Sequence, residues 1–225
     1  MAKGGRGGRR GGGVAKGELT LPDGSKIEFD GELIFGGLDK TVPDVVRKNL
    51  DAWETKRYGN KVEFAMAWNA DGTPIGKEAK GGKGSVRTPF AFHHTDNSVF
   101  THNHPRGDGM LGGTFSGADL RNFAIGGNTT CRATAKEGTY SISKTKNFDS
   151  KRFNSYVTKV EADVRKAYKS EHKKISDAYK NNEISYNQVT LMQGKAFNTF
   201  LVNLHNAYRD GQKQYGYTYT LEKRK

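Results

Sequence analysis

The spacing of apolar positions in this 225-residue chain changes character along its length. Between Glu18 and Phe35 it alternates. Glu18-Leu19-Thr20-Leu21 and Lys26-Ile27-Glu28-Phe29 read as a hairpin about Pro22-Asp23-Gly24-Ser25, with a further short strand over 32–35. From Thr41 to Tyr58 the period becomes helical, with Val42, Val45, Val46, Leu50 and Trp53 on one stripe. Thr41 is the expected cap, Pro43 and Asp44 suit the first turn, and Gly59 is the stop. Short runs follow. Val62–Trp68 is apolar on both strand faces, 69–74 is a turn, Ile75 starts the return, and 85–87 is a further pairing segment. Ser98–His102 reads as a strand, Ser116 to Gly126 as a helix, and 129–135 and 139–143 as two strands about Gly138.

Beyond residue 150 the helical period takes over. Phe153, Val157, Val160, Val164, Ala167, Ile175 and Ala178 predict one long amphipathic helix, and Asn181-Asn182 a turn. Val189, Met192, Ala196, Phe200, Leu204 and Ala207 predict a second helix ending near Gly211. Tyr215–Leu221 alternates again, as an edge strand guarded by Lys223, Arg224 and Lys225. The fold class expected is α+β or α/β: a mixed sheet flanked by helices, with a C-terminal helical hairpin. Three segments are expected: a tail over 1–17, a core over 18–148, and the hairpin with its terminal strand over 149–225.

Charge changes the picture of partners. There are 37 Lys and Arg against 24 Asp and Glu, a net charge of +13, which attracts polyanions. Residues 1–17 hold eight Gly, five cations and no acid, a composition expected to be disordered. It suits either a phosphate-grasping arm or a solubilising tail. From Lys144 to Lys180 eleven Lys or Arg face five Asp or Glu, which suits a solvated face or a surface for nucleic acid. Hydrophobic content is 34%, so the core is modest. There is no run of eighteen apolar residues and no apolar segment behind the basic N-terminus, so neither a membrane span nor a secretory signal is expected, and the location expected is cytoplasmic. Cys131 stands alone, so no intrachain disulfide forms, and it reads as a small buried side chain.

The candidate chemistry lies in Phe100-Thr101-His102-Asn103-His104-Pro105 and Ser116-Gly117-Ala118-Asp119. On a strand, His102 and His104 project to the same face, so two imidazoles can share a metal ion. Pro105 and Gly107 turn the chain, and a helix opening at Ser116 returns Asp119 towards them. Two imidazoles and one carboxylate leave one position of a tetrahedral Zn²⁺ open for water. Ser116 with an acid three residues on is also close to a capping box, which is compatible with that role. The adjacent letters His-Asn-His do not make the nuclease motif of that name, whose residues spread over a ββα unit.

A glutamate in the buried-looking strand 62–68 is costly unless paired or near a metal, so Glu63 suits either a site residue or an exposed strand end with an ordinary salt bridge, and Glu78 is the fallback. His93 and His94 suit extra ligands or exposed bystanders. Gly81–Ser85 lacks the spacing of a phosphate loop and reads as a flexible turn. Arg121 and Arg132 suit either an anion-orienting role or the surface.

His-x-His-Pro followed by Ser-x-x-Asp resembles the JAB/MPN (JAMM) metalloprotease motif, over about residues 60–145, and is closest to JAB-like domains of phage and toxin proteins. The resemblance implies His102, His104 and Asp119 as zinc ligands, Ser116 as a helper of the oxyanion and Glu63 as general acid/base. The substrate it implies is a protein or peptide, cut at a peptide or isopeptide bond. One departure is the eleven-residue spacer between His104 and Ser116, longer than familiar members carry. Its Gly109-Met110-Leu111-Gly112-Gly113 piece suits either a flexible lid or a looser alignment of Ser116 with the motif. The rival reading is a basic, nucleic-acid-associated packaging component on a degenerate version of the same fold.

Overall fold

The computed structural model of the protein describes residues 12–87, 96–105 and 107–223. Strands β1 (Gly13–Thr20) and β2 (Lys26–Phe35) form an antiparallel ribbon. The main sheet contains β3 (Phe64–Trp68), β4 (Ala79–Lys80), β5 (Val99–Asn103), β6 (Thr130–Ala135), β7 (Gly138–Lys144) and β8 (Tyr217–Lys223). Their order is β4-β3-β5-β6-β7-β8. The β5–β6 pair is parallel and the others are antiparallel, so the sheet is mixed and the fold is α+β. The β5-to-β6 connection carries α2 (Gly117–Ile125), as a parallel pair requires a crossover.

Strand alternation sorts the sheet's side chains into two layers. Met66, Trp68 and Val99 pack under Val42, Val46 and Leu50, the last two from α1 (Asp44–Arg57). The opposite face carries Ala65, Ala67, Phe100, Ala133, Ile142 and Leu221. It is covered by α2, by α3 (Ser150–Lys180), by α4 (Tyr186–Asp210) and by the ribbon, through Leu120, Phe153, Val157, Leu201, Val202 and Leu33. The helical hairpin therefore shares the core of the sheet. The short α5 (Gln212–Tyr215) leads into β8. No helix among the described residues is long and apolar enough to cross a membrane.

Several expectations change at the element ends. β1 begins at Gly13, inside the stretch expected to be disordered, because Gly13–Lys16 pair with Glu32–Phe35. The strand expected over 32–35 is the end of one continuous β2. Residues 85–87 form no strand. Helix α1 starts after Pro43, with no side-chain cap; the Thr41 hydroxyl instead donates to Asp39, 2.6 Å away, and lies 2.6 Å from Ser143 Oγ. Arg132 is neither on the surface nor beside the histidines. It points to the α1 side, 1% exposed, and its guanidinium donates to Glu54 at 2.7 and 3.0 Å and to Glu222 at 3.0 and 3.0 Å. The two carboxylates outweigh the opposing effect of burial and hold the guanidinium protonated.

Candidate metal centre

The site is built where β5 ends. Phe100 and His102 share a strand face, and His104 lies one further step of two along the chain. His102 Nε2 and His104 Nε2 lie 2.9 Å apart. Asp119 Oδ2 is 3.6 Å from the first and 3.7 Å from the second. The two rings and the carboxylate are thus brought together as expected, and among the described residues this is the cluster able to hold a metal ion.

The donor geometry fits a small divalent ion. A triangle with sides of 2.9, 3.6 and 3.7 Å has a centre about 2.0 Å from each corner, the length of a zinc bond to nitrogen or oxygen. The donor chemistry fits as well. His104 Nδ1–H donates to the Gly113 carbonyl at 2.9 Å, so in the neutral ring Nε2 is the nitrogen with the lone pair. The two imidazole nitrogens and a carboxylate oxygen converge on one point, where a cation or a shared ring proton satisfies them. Two nitrogens and one oxygen suit zinc better than calcium or magnesium.

Each donor is held from behind. Asp119 Oδ2 accepts from Ser116 N–H and Ser116 Oγ–H, each at 2.8 Å, while Asp119 N–H donates back to Ser116 Oγ at 3.2 Å. Ser116 is therefore the cap of α2, and its hydroxyl proton is committed to Asp119. His102 is oriented by packing, stacked on Phe100 at 5.5 Å and tilted against Phe115 at 6.3 Å; its Nδ1 has no hydrogen-bond partner among the described residues. Burial alone would raise the Asp119 carboxyl, but the two rings outweigh it and hold the group well below the usual carboxylate range. Burial alone would lower His104; Asp119, the Gly113 carbonyl and the Glu63 charge together raise it.

Glu63 comes to this cluster through strand register. Ala65 pairs with His102 across the antiparallel β3–β5 ladder, so two residues further on Glu63 lies across from His104. Asn103 clamps it there. Its carboxamide accepts from Phe64 N–H at 2.6 Å and donates to the Val62 carbonyl at 3.0 Å, one bond on each side of Glu63. Gly81 and Gly82 hold the Glu63 backbone from the other edge, at 2.8 and 2.7 Å. The glycine turn is a brace rather than a free loop. Glu78 is not at the site; it is paired with Arg57 and with Trp53 Nε1 at 2.6 Å. His93 and His94 lie outside the described residues.

The glycine-rich spacer is pinned. Buried Glu137 accepts from Gly112 N–H at 2.9 Å and Gly113 N–H at 2.8 Å, and Asn198 of α4 accepts from Leu111 N–H at 3.0 Å. Gly113 has φ +86° and Leu201 lies against its α-carbon, so only glycine presents its carbonyl to His104 without strain. The expected lid is instead the support of a ligand. Glu161 of α3 accepts from Gly117 N–H at 3.0 Å and from Arg121 at 3.1 Å, tying the hairpin to the start of α2. Sequence reading missed Glu137, Glu161 and Asn198. The one signal was a polar Asn198 on the apolar face of a helix.

Above the donors opens a cleft of about 440 Å³. Glu63, His102, His104, Ser116 and Asp119 form its polar end, and α3 and α4 form the facing wall. Comparison of the chain with protein-family models, with curated proteins and with solved structures gives no match.

Proposed function

We propose that this chain is a zinc-dependent hydrolase of peptide or isopeptide bonds, of the JAB/MPN type that its motif resembles. The observation that carries the reading is the convergence of His102 Nε2, His104 Nε2 and Asp119 Oδ2, at the floor of a cleft that also holds Glu63. Three protein donors leave a position open, as in catalytic rather than structural zinc sites. Bound zinc supplies the Lewis acidity that makes water a nucleophile near neutral pH. Glu63 is the group placed to take a proton from the attacking water and to deliver it to the leaving nitrogen as the amide C–N bond breaks. Its backbone, fixed by Asn103 and by the glycine turn, holds that carboxylate in register. His104 and Asp119 are locked in orientation by the Gly113 carbonyl and by Ser116. Ser116 acts by orienting Asp119, since donating to an oxyanion would require its hydroxyl to leave the carboxylate.

Metal analysis tests this. After zinc loading and exhaustive dialysis the wild type is expected to hold about one zinc per chain and His104→Ala less than a tenth of that. Near-zero zinc in both removes the hydrolase reading. Glu63→Gln is expected to keep its zinc and lose cleavage of a quenched peptide or isopeptide library; cleavage at the wild-type rate would remove Glu63 from the mechanism.

A second reading, a nucleic-acid-associated component, is favoured by one surface. Arg152, Lys159, Lys166, Lys173 and Lys180 recur every seven residues at exposed positions of α3, about 10.5 Å apart along a row that turns by about 20° per step. Binding of duplex DNA should then fall steeply between 50 and 200 mM salt, and removal of residues 1–11 should weaken it if they serve as an arm.

A further inference from the structure

The wall facing the candidate metal centre comes from the C-terminal hairpin, and its chemistry is specific. On α4, Phe197, Phe200, Leu201 and Leu204 follow helical spacing and line the cleft as one apolar face. On α3, Glu161 and Arg165 stand one turn apart and line the same cleft. Glu161 is occupied by Gly117 N–H and Arg121. Arg165 is exposed, with its guanidinium 5.9 Å from the Phe200 ring centre, and has no carboxylate partner among the described residues.

The charges lining the cleft decide what it attracts. Among the described residues, Glu63, Asp119, Glu161 and Arg165 are its charged side chains besides the two histidines. A divalent ion on the three donors would offset the Asp119 carboxylate, and Arg121 balances Glu161. Among the described residues Arg165 is the charge left over, and a guanidinium meets a carboxylate through charge-assisted hydrogen bonds.

We propose that the hairpin is the recognition wall of the site, that it takes a peptide placing a Leu- or Phe-sized side chain against Phe197–Leu204, and that Arg165 selects an acidic group beside it. This rests on the hydrolase reading for the reaction but not for the binding. A guanidinium fits a carboxylate with two parallel bonds, so Arg165 is a specificity-determining residue.

The test uses the full-length, zinc-loaded chain carrying Glu63→Gln, so that binding is read without turnover. Three fluorescein-labelled peptide pools share a central Leu or Phe and carry Asp and Glu, Ser and Gln, or Lys and Arg around it. By fluorescence anisotropy the acidic pool is expected to bind at least about tenfold tighter than the neutral pool. Adding Arg165→Glu should reverse the order of the acidic and basic pools. Adding Lys48→Glu, an exposed residue of α1 across the sheet, should leave the order unchanged and so separates local recognition from the net charge of +13. Phe200→Ala should weaken all three pools. An unchanged preference in Arg165→Glu, an equal loss in Lys48→Glu, or no binding of any pool overturns the proposal. The wild type is then given the same pools. Selective binding without cleavage overturns the reaction and leaves the recognition standing; cleavage without acidic preference does the reverse.

Discussion

Acidification should unfold this protein in part through a histidine remote from the metal donors. His205 lies on α4, fully buried. Its Nε2 is 2.9 Å from the Ile34 carbonyl and its Nδ1 is 3.0 Å from Tyr219 Oη, which is itself 2.7 Å from Thr114 Oγ1. One neutral tautomer satisfies the chain: Nε2–H donates to Ile34, Tyr219 O–H donates to Nδ1, and Thr114 O–H donates to Tyr219. Burial disfavours a protonated ring most and the Arg209 charge adds to it, together outweighing the Ile34 carbonyl, so the pKa falls from 6.5 to about 4. The unfolded chain takes up this proton near pH 6.5, whereas the folded chain resists until about pH 4. Stability from His205 is therefore complete above pH 6.5, is lost as pH falls from there to 4, and stays flat below. The loss totals about 3 kcal/mol, of which about 2.5 falls between pH 7.5 and 4.5. Urea unfolding at those two pH values, for wild type and His205→Gln, isolates this group. The variant should lose about 2.5 kcal/mol less than the wild type over the interval, whatever its stability at neutral pH. Parallel losses in the two chains, or an imidazole resonance of His205 titrating near 6.5, would refute the reasoning.

Three further outcomes follow from the contacts around the site and the sheet. Asn103→Ala removes both clamps on Glu63 and leaves a buried N–H unpaired; it should cost about 2 kcal/mol by urea unfolding, retain zinc, and reduce cleavage about tenfold or more through kcat. Gly117→Ala drives a methyl into the Glu161 carboxylate, a flexible end that swings aside and gives up its bond to Gly117 N–H, so it should destabilise the chain by only about 1 kcal/mol by urea unfolding and leave zinc bound. Arg132→Leu strands Glu54 and Glu222 in the interior and should cost about 3–5 kcal/mol, while the double change with Glu54→Leu should recover part of that loss if the penalty is unpaired charge.

What the chain's own pattern determined is what depends on near neighbours. Helical period set α1, α2, α3 and α4 to within a few residues, because the bonds of a helix join residues four apart. Strand alternation put His102 and His104 on one side, and the spacing of Ser116 and Asp119 gave the capping box. Tertiary structure decided everything that hangs on long-range register. Thr41 lost its cap role to Asp39 and Ser143, and Arg132 went inside because two distant glutamates meet it there. The spacer read as a lid became a support because Glu137 and Asn198, far along the chain, hold its backbone. Glu63 faces His104 only because β3 pairs with β5 in one register, and a shift by one residue would turn it to the other side of the sheet. Local periodicity carries no record of which strand lies beside which, so the donors were legible and the groups that hold them were not.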